Sequence, residues 1–249
     1  MLDIAALCST QASIFLRPSG YQQAADLLRT QFAHPLSDHL THLNALNAYR
    51  RTRDILKERF SCSQDMLEEW CMEHALNIRA LEEVCTVRDI AENFLHRSRK
   101  IDADKASVMD MTSVRNALAV AFCTHTAIHH SGDVYRTVHE NTPALLSPAS
   151  SLVGGNHDWI MYTTLHKTVG KQQLQIATAI DAEWLVDLPF FREAIMPRTG
   201  DVSSLLRRSC DMHTRLSLLC CPPMLVSTDL QTVRRIDSYH VDAHRLVDA

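Results

Sequence analysis

Over the first hundred residues, apolar positions recur at three- and four-residue steps, the spacing of one face of a helix. Ile4, Leu7 and Cys8 open the pattern, and the first helix is expected to stop before Pro18. A second helix is predicted from Tyr21 to Phe32, with Ala24, Ala25, Leu27 and Leu28 on its buried side, and Pro35 breaks it. Either Ser37 or Asp38 caps the next one, which carries Leu40, Leu43, Ala45 and Leu46 and ends in Arg50, Arg51, Arg53, Lys57 and Arg59. Ser61-x-x-Gln64 has capping-box spacing ahead of Met66, Leu67 and Trp70. A helix after Asn77 places Leu81, Val84, Cys85, Ile90 and Phe94 on one side. Residues 1–100 therefore read as a compact helical bundle. The charged, apolar-poor stretch that follows assigns 101–112 as a linker. Val114, Leu118, Ala121, Phe122 and Ile128 then predict one further helix, ended by Ser131-Gly132.

After Gly132 the period shortens. Asp133 to His139, Ala144 to Leu146, Trp159 to Leu165 and Leu174 to Ile180 have strand composition, punctuated by Pro143, Pro148 and Gly154-Gly155-Asn156. Short strands behind a helix predict a small β-barrel over 113–191. The remainder, 192–249, reads as a C-terminal extension, partly helical (near Val202 to Leu219) or disordered. The expected fold class is α+β: an N-terminal helical bundle, a small barrel and a tail.

Composition narrows the function classes. Lys and Arg total 25 against 29 Asp and Glu, a net charge of −4. A chain that binds nucleic acid by charge alone is basic, so such a role here must rest on a local surface or on neighbouring domains. The eight cysteines form no C-x-x-C pair and several fall on apolar helical positions, which reads as buried free thiols in a reducing compartment. No apolar run approaches the ~18 residues of a membrane span, and no membrane partner is expected.

The candidate chemistry is thin. His125 and His129, four apart on the predicted helix, have zinc-compatible spacing but no third ligand, so no metal site is assigned. Val241-Asp242-Ala243-His244 resembles part of a D-E-A-H box, without the strand and phosphate loop that box requires. The basic run from Arg50 to Arg59 either meets phosphates or is a solvated helix end favoured by the dipole. Trp70, Trp159 and Trp184 sit inside apolar patterns and read as core. No catalytic residues are assigned.

Five stretches, in order, carry a family resemblance. Ile4-Ala5-Ala6-Leu7-Cys8-Ser9 with Ile14-Phe15-Leu16-Arg17-Pro18 is the first. Phe32-Ala33-His34-Pro35 with Ser37-Asp38-His39-Leu40-Thr41-His42-Leu43-Asn44 is the second. Trp70-Cys71, Asn77-Ile78-Arg79-Ala80-Leu81 and Val87-Arg88 form the third. Tyr135-Arg136-Thr137-Val138 and Ser147-Pro148-Ala149-Ser150-Ser151-Leu152 form the fourth. Trp159-Ile160-Met161-Tyr162, Thr168, Thr178-Ala179-Ile180 and Trp184-Leu185 form the last. Together, over about residues 1–190, they resemble the C-terminal region of DEAH/RHA-type ATP-dependent RNA helicases. The resemblance implies a ratchet-like helical domain, expected to be missing its first helix, followed by an OB-fold.

The resemblance also implies a role. In the family these domains close one side of an RNA channel and dock protein activators while two RecA-like domains open and close with ATP. Asp38, His39, Asn77 and Arg79 would lie near RNA, and Thr168 and Lys171 on the RNA-facing edge of the OB-fold. Single-stranded RNA is the expected partner, together with RecA-like domains in cis or in trans. Binding is expected to be weakened, because Gly170 and Gln175 stand where the family places cations; Ser147 is a further departure, standing where the family places histidine. There is no G-x-x-x-x-G-K-[ST] motif, so neither ATPase nor helicase activity is expected from this chain alone; ATP and magnesium would bind the motor domains. The expected compartment is nuclear or cytoplasmic, within a ribonucleoprotein. A stand-alone adaptor that lacks helicase activity is the alternative.

Overall fold

The computed structural model describes residues 1–60, 64–97, 110–168 and 171–191. Ser61 of the capping box, residues 101–109 of the linker, Gly170, the helix near Val202 to Leu219 and Val241 to His244 lie outside the described residues. The chain divides into two compact units, Met1–Trp184 and Leu185–Ala249. In the second, Pro189–Phe191 forms a 3-10 turn in which the Phe191 N–H donates to the Leu188 carbonyl.

The first unit begins with five helices: α1 (Leu2–Ser9), α2 (Gln22–Arg29), α3 (Asp38–Phe60), α4 (Gln64–Glu73) and α5 (Ile78–Arg97). Their core gathers Ala6, Phe15, Phe32, Leu46, Tyr49, Leu67, Cys71, Leu81 and Val84. The Asp3 carboxylate ties three helices together, pairing with Arg50 at 2.7 Å and Arg88 at 3.1 Å. The extended segment between α1 and α2 crosses this bundle, with Phe15 bridged to Leu76 and the Leu16 N–H donating to the Ala75 carbonyl at 2.8 Å.

The first helix ends at Ser9, ahead of Pro18, and the following residues run extended against 75–77. Two helical expectations change. On α2 only Ala25 is buried, while Leu27 is 71% exposed. The distal half of α5 carries Ile90 and Phe94 on its surface, 64% and 54% exposed, whereas Leu81 and Val84 of the same helix are fully enclosed. Periodicity names a helix face; only tertiary packing decides whether that face is covered.

The stripe from Val114 to Ile128 divides between two elements. Helix α6 (Met111–Ala121) is capped by the Asp110 side chain, which accepts from the Thr112 and Ser113 N–H groups. Strand β1 (Thr126–Ser131) follows, because residues 126–128 find ladder partners on both sides, against 136–137 and against 159–161. The others are β2 (Val134–Thr137), β3 (Pro143–Leu146), β4 (Trp159–Thr168) and β5 (Lys171–Ala179). Gly132, at φ +54°, supplies the left-handed residue of the tight β1–β2 turn. The strands close into a barrel in the order β1-β2-β3-β5-β4, with β3 and β5 parallel and β4 returning to β1. The fold is α+β, with helices leading into a five-stranded barrel.

The barrel core contains Ile160 and Tyr162 of β4 and Leu174, Ala177 and Ala179 of β5. A regular strand alternates sides at every residue. Here the inward set passes from Leu174 to Ala177, an odd step, across Ile176 at φ +53°. A β-branched residue in the left-handed region is strained. The strain coincides with the place where β5 meets the helical bundle.

Candidate nucleic-acid interface

The helical bundle and the barrel meet at the N-terminus of α3. Asp38, 1% exposed, receives four hydrogen bonds from the barrel side. Ser150 Oγ donates at 2.7 Å, the Ser151 N–H at 2.8 Å, Ser151 Oγ at 2.9 Å and the Ala177 N–H at 2.9 Å. The last comes from the residue just after strained Ile176. The Arg29 guanidinium of α2 stands 3.6 Å from the same carboxylate and 4.5 Å from the Phe15 ring centroid. An anion in the first turn of a helix is favoured by the helix dipole, and ionised acceptors make the stronger hydrogen bonds.

His39 completes the joint. Its Nδ1 pairs with Thr178 Oγ1 at 2.8 Å and its Nε2 with Thr163 Oγ1 at 3.0 Å. Ser37 Oγ shares a 2.7 Å bond with Thr178 and accepts the Leu40 N–H, which makes Ser37 the α3 cap. A neutral imidazole has one donor and one acceptor nitrogen, and two hydroxyls satisfy both. Burial pushes His39 down to about 3 and also lowers His42, whose Nδ1 pairs with the Asp38 carbonyl.

Beside the joint runs a groove of about 270 Å³ between the bundle and the barrel. Leu16 and Pro148 give it apolar walls, and Ser147, Gln173 and Gln175 face it from the barrel. Its two cations already have carboxylate partners. Arg17 makes a bidentate pair with Asp26, at 2.9 and 2.8 Å, and Arg29 leans on Asp38. The Gln173 and Gln175 amides, both half-buried, have no hydrogen-bond partner among the described residues.

The sequence-chosen residues occupy three settings. Asp38 and His39 are enclosed in the joint, with their polar atoms held by protein groups, so the structure gives them the work of fixing the barrel to the bundle. Asn77 caps α5: its Oδ1 accepts the Ala80 N–H and its Nδ2 donates to the Ser13 carbonyl. Arg79, one residue into α5, is exposed. Thr168 and Lys171 pair across the end of the β4–β5 hairpin, with Lys171 exposed. Sequence reasoning missed Arg29 and Gln173, saw Thr178 only as part of a motif, and read Gln175 only as a missing cation. Ser150 and Ser151 were visible as part of a motif, although nothing in the sequence matched them to Asp38.

Other candidates resolve into structural roles. His125 precedes β1 and stacks on Tyr162 with centroids 5.4 Å apart, while His129 lies within β1 and pairs with the Gly132 carbonyl at 2.7 Å. Among the described residues no group of three metal-binding side chains converges. Trp159 is buried, whereas Trp70 is half-buried and stacks on His74 at 4.3 Å. Burial pushes the Cys8 and Cys71 thiols up to about 11, the behaviour of packed and not of reactive cysteines. Among the described residues no helix is long and apolar enough to cross a membrane.

Comparison with known proteins agrees with this architecture. A family model described as an oligonucleotide/oligosaccharide-binding (OB)-fold matches residues 114–189. The chain is 30% identical over 197 residues to the pre-mRNA-splicing factor ATP-dependent RNA helicase prp22 of Schizosaccharomyces pombe, covering 78% of this chain and 16% of that protein. It is 29% identical over 190 residues to the probable ATP-dependent RNA helicase DHX35 of Homo sapiens, covering 76% of this chain and 25% of the relative. The Pongo abelii protein of the same name gives 29% identity over 189 residues, 76% of this chain and 24% of the relative. The chain thus spans a quarter or less of the length of the curated relatives it matches.

Proposed function

We infer, from the premise that this chain belongs to the DEAH/RHA-type RNA helicases and carries their C-terminal OB-fold portion, that it closes one side of a single-stranded RNA channel and offers a docking face to partners. The observation that carries this reading is the joint at Asp38. Four hydrogen bonds to its carboxylate fasten the bundle to the barrel, which suits a wall that must hold a strand while neighbouring motor domains move. RecA-like domains, in cis or in trans, would supply ATP and magnesium chemistry. Arg79 of α5 and Thr168 and Lys171 of the hairpin are the proposed RNA contacts. Asp38, His39 and Asn77 act as positioning residues behind them.

A salt-titrated binding assay with single-stranded RNA tests this. Measurable affinity at low salt, falling as salt rises, is expected, and Lys171→Ala should lower the slope of log K against log salt by about 0.7. No binding at low salt overturns the channel reading and favours a second one, an adaptor within a ribonucleoprotein. That second reading draws on the net charge of −4 and on Gly170 and Gln175 at positions where a cation is expected.

A further inference from the structure

The groove between the bundle and the barrel has the size and chemistry for a different task from phosphate binding. Its volume, about 270 Å³, lies just under the ~300 Å³ at which small-molecule pockets begin and suits a single planar group. Its charges are spent within the protein: the Arg17 guanidinium is held bidentate by Asp26, and Arg29 is fixed between Asp38 and the Phe15 ring. Apart from Arg29 Nε, a buried donor without a hydrogen-bond partner, the hydrogen-bonding capacity left over is uncharged. Gln173 and Gln175 lie two apart on β5, on the same side of the strand, with Leu174 between them turned into the barrel core. Ser147 adds a hydroxyl at the end of β3.

The geometry points to a nucleobase pocket: one base of single-stranded RNA sits in this groove, its edge read by the Gln173 and Gln175 amides and its face against Leu16 and Pro148. A primary amide presents a donor and an acceptor side by side, the pattern that pairs with an adenine edge. A base that enters the groove meets guanidiniums that already face carboxylates, Arg17 with Asp26 and Arg29 with Asp38, and leaves its phosphates outside. This inference rests on the RNA-binding reading above and assigns the part of the RNA that this groove takes.

The test uses the full 249-residue chain and two fluorescent 12-mers, oligoadenylate and the same backbone with a central run of abasic sites. The parent chain is expected to bind oligoadenylate about ten-fold more tightly than the abasic strand. Gln173→Ala combined with Gln175→Ala should weaken oligoadenylate binding about ten-fold, abolish the preference and leave the salt slope unchanged, since each lost hydrogen bond to a neutral group costs several-fold in affinity. Both positions are half-exposed, and unchanged circular dichroism verifies the fold. Gln175→Lys provides a second arm: it should steepen the salt slope by about 0.7 and reduce the preference for bases. Equal binding of both strands by the parent, or an unchanged preference in the double variant, overturns the base pocket while leaving RNA binding by the module intact. An unchanged salt slope in Gln175→Lys overturns it as well, because the groove would then lie off the RNA path. Failure of the parent to bind either strand at low salt overturns both this proposal and the reading it rests on.

Discussion

Burial holds the His39 imidazole at about pKa 3, while a histidine in an unfolded chain titrates near 6.5. Between those values the unfolded chain binds a proton that the folded chain refuses. Stability therefore rises with pH across this window, is complete above about 6.5, and is lost as pH falls toward 3. From pH 6.5 to 5 the loss from His39 alone is about 2 kcal/mol, and the lowered His42 acts in the same direction. Urea unfolding at pH 7 and at pH 5 checks this by comparing the parent with His39→Gln. The parent should lose about 2 kcal/mol more than the variant over that interval, and equal losses would show that His39 is reached by protons without unfolding. The same arithmetic explains why His39 serves as a joint residue. Protonation would make both ring nitrogens donors, and the half-buried Thr163 and enclosed Thr178 hydroxyls would have to accept both.

At the scale of single elements, α5 divides into two halves under one sequence pattern. Leu81 is fully buried and Ile90 is 64% exposed, although both fall on the predicted stripe. Leu81→Ala should cost about 3 kcal/mol through lost burial and a residual cavity. Ile90→Lys should change stability by less than about 0.5 kcal/mol. Chemical denaturation of the two variants decides it, and a large loss in Ile90→Lys would mean that the distal half of α5 is covered in solution. Helices and strands were legible wherever the apolar period was long and locally bounded, as in α3, α5, β4 and β5. The α6–β1 boundary was not. Ala121, Phe122 and Ile128 keep helical spacing, and β1 exists only because 126–128 find partners on β2 and β4, residues distant in sequence. Local pattern carries no information about such partners. The candidate site shows the same limit. Asp38 and Ser150-Ser151 each stood out within a motif, but they are 112 and 113 residues apart, and only folding makes them a pair. Gln173 carried no signal and Gln175 stood out only as a missing cation, because glutamine on a strand has no motif and gains its meaning from Arg17 and Arg29 facing carboxylates nearby.

At the scale of the whole molecule, the question is whether the bundle and the barrel stand or fall together. They have separate cores, one around Leu46 and Leu81 and the other around Ile160 and Leu174. Separate cores permit separate unfolding. What couples them is the polar joint, where Asp38 draws on Ser150, Ser151 and Ala177, and where the Ala179 N–H donates to the Leu36 carbonyl at 2.8 Å. Removing the carboxylate leaves several enclosed donors unpaired, each at a cost of about 1–3 kcal/mol. A variant that keeps Trp159 as its only tryptophan, through Trp70→Phe and Trp184→Phe, gives the two parts separate reporters. Trp159 fluorescence follows the barrel and far-ultraviolet circular dichroism follows mostly the helices. With Asp38 in place the two probes should trace one urea transition with a common midpoint, the signature of a single cooperative unit. Adding Asp38→Ala should separate the midpoints, because each core then unfolds on its own stability. Coincident midpoints with and without Asp38 would mean that the remaining contacts, those of Ser37, His39 and Leu36 among them, couple the parts without the carboxylate, and separate midpoints before Asp38 is touched would mean that the joint transmits too little to hold a channel wall rigid.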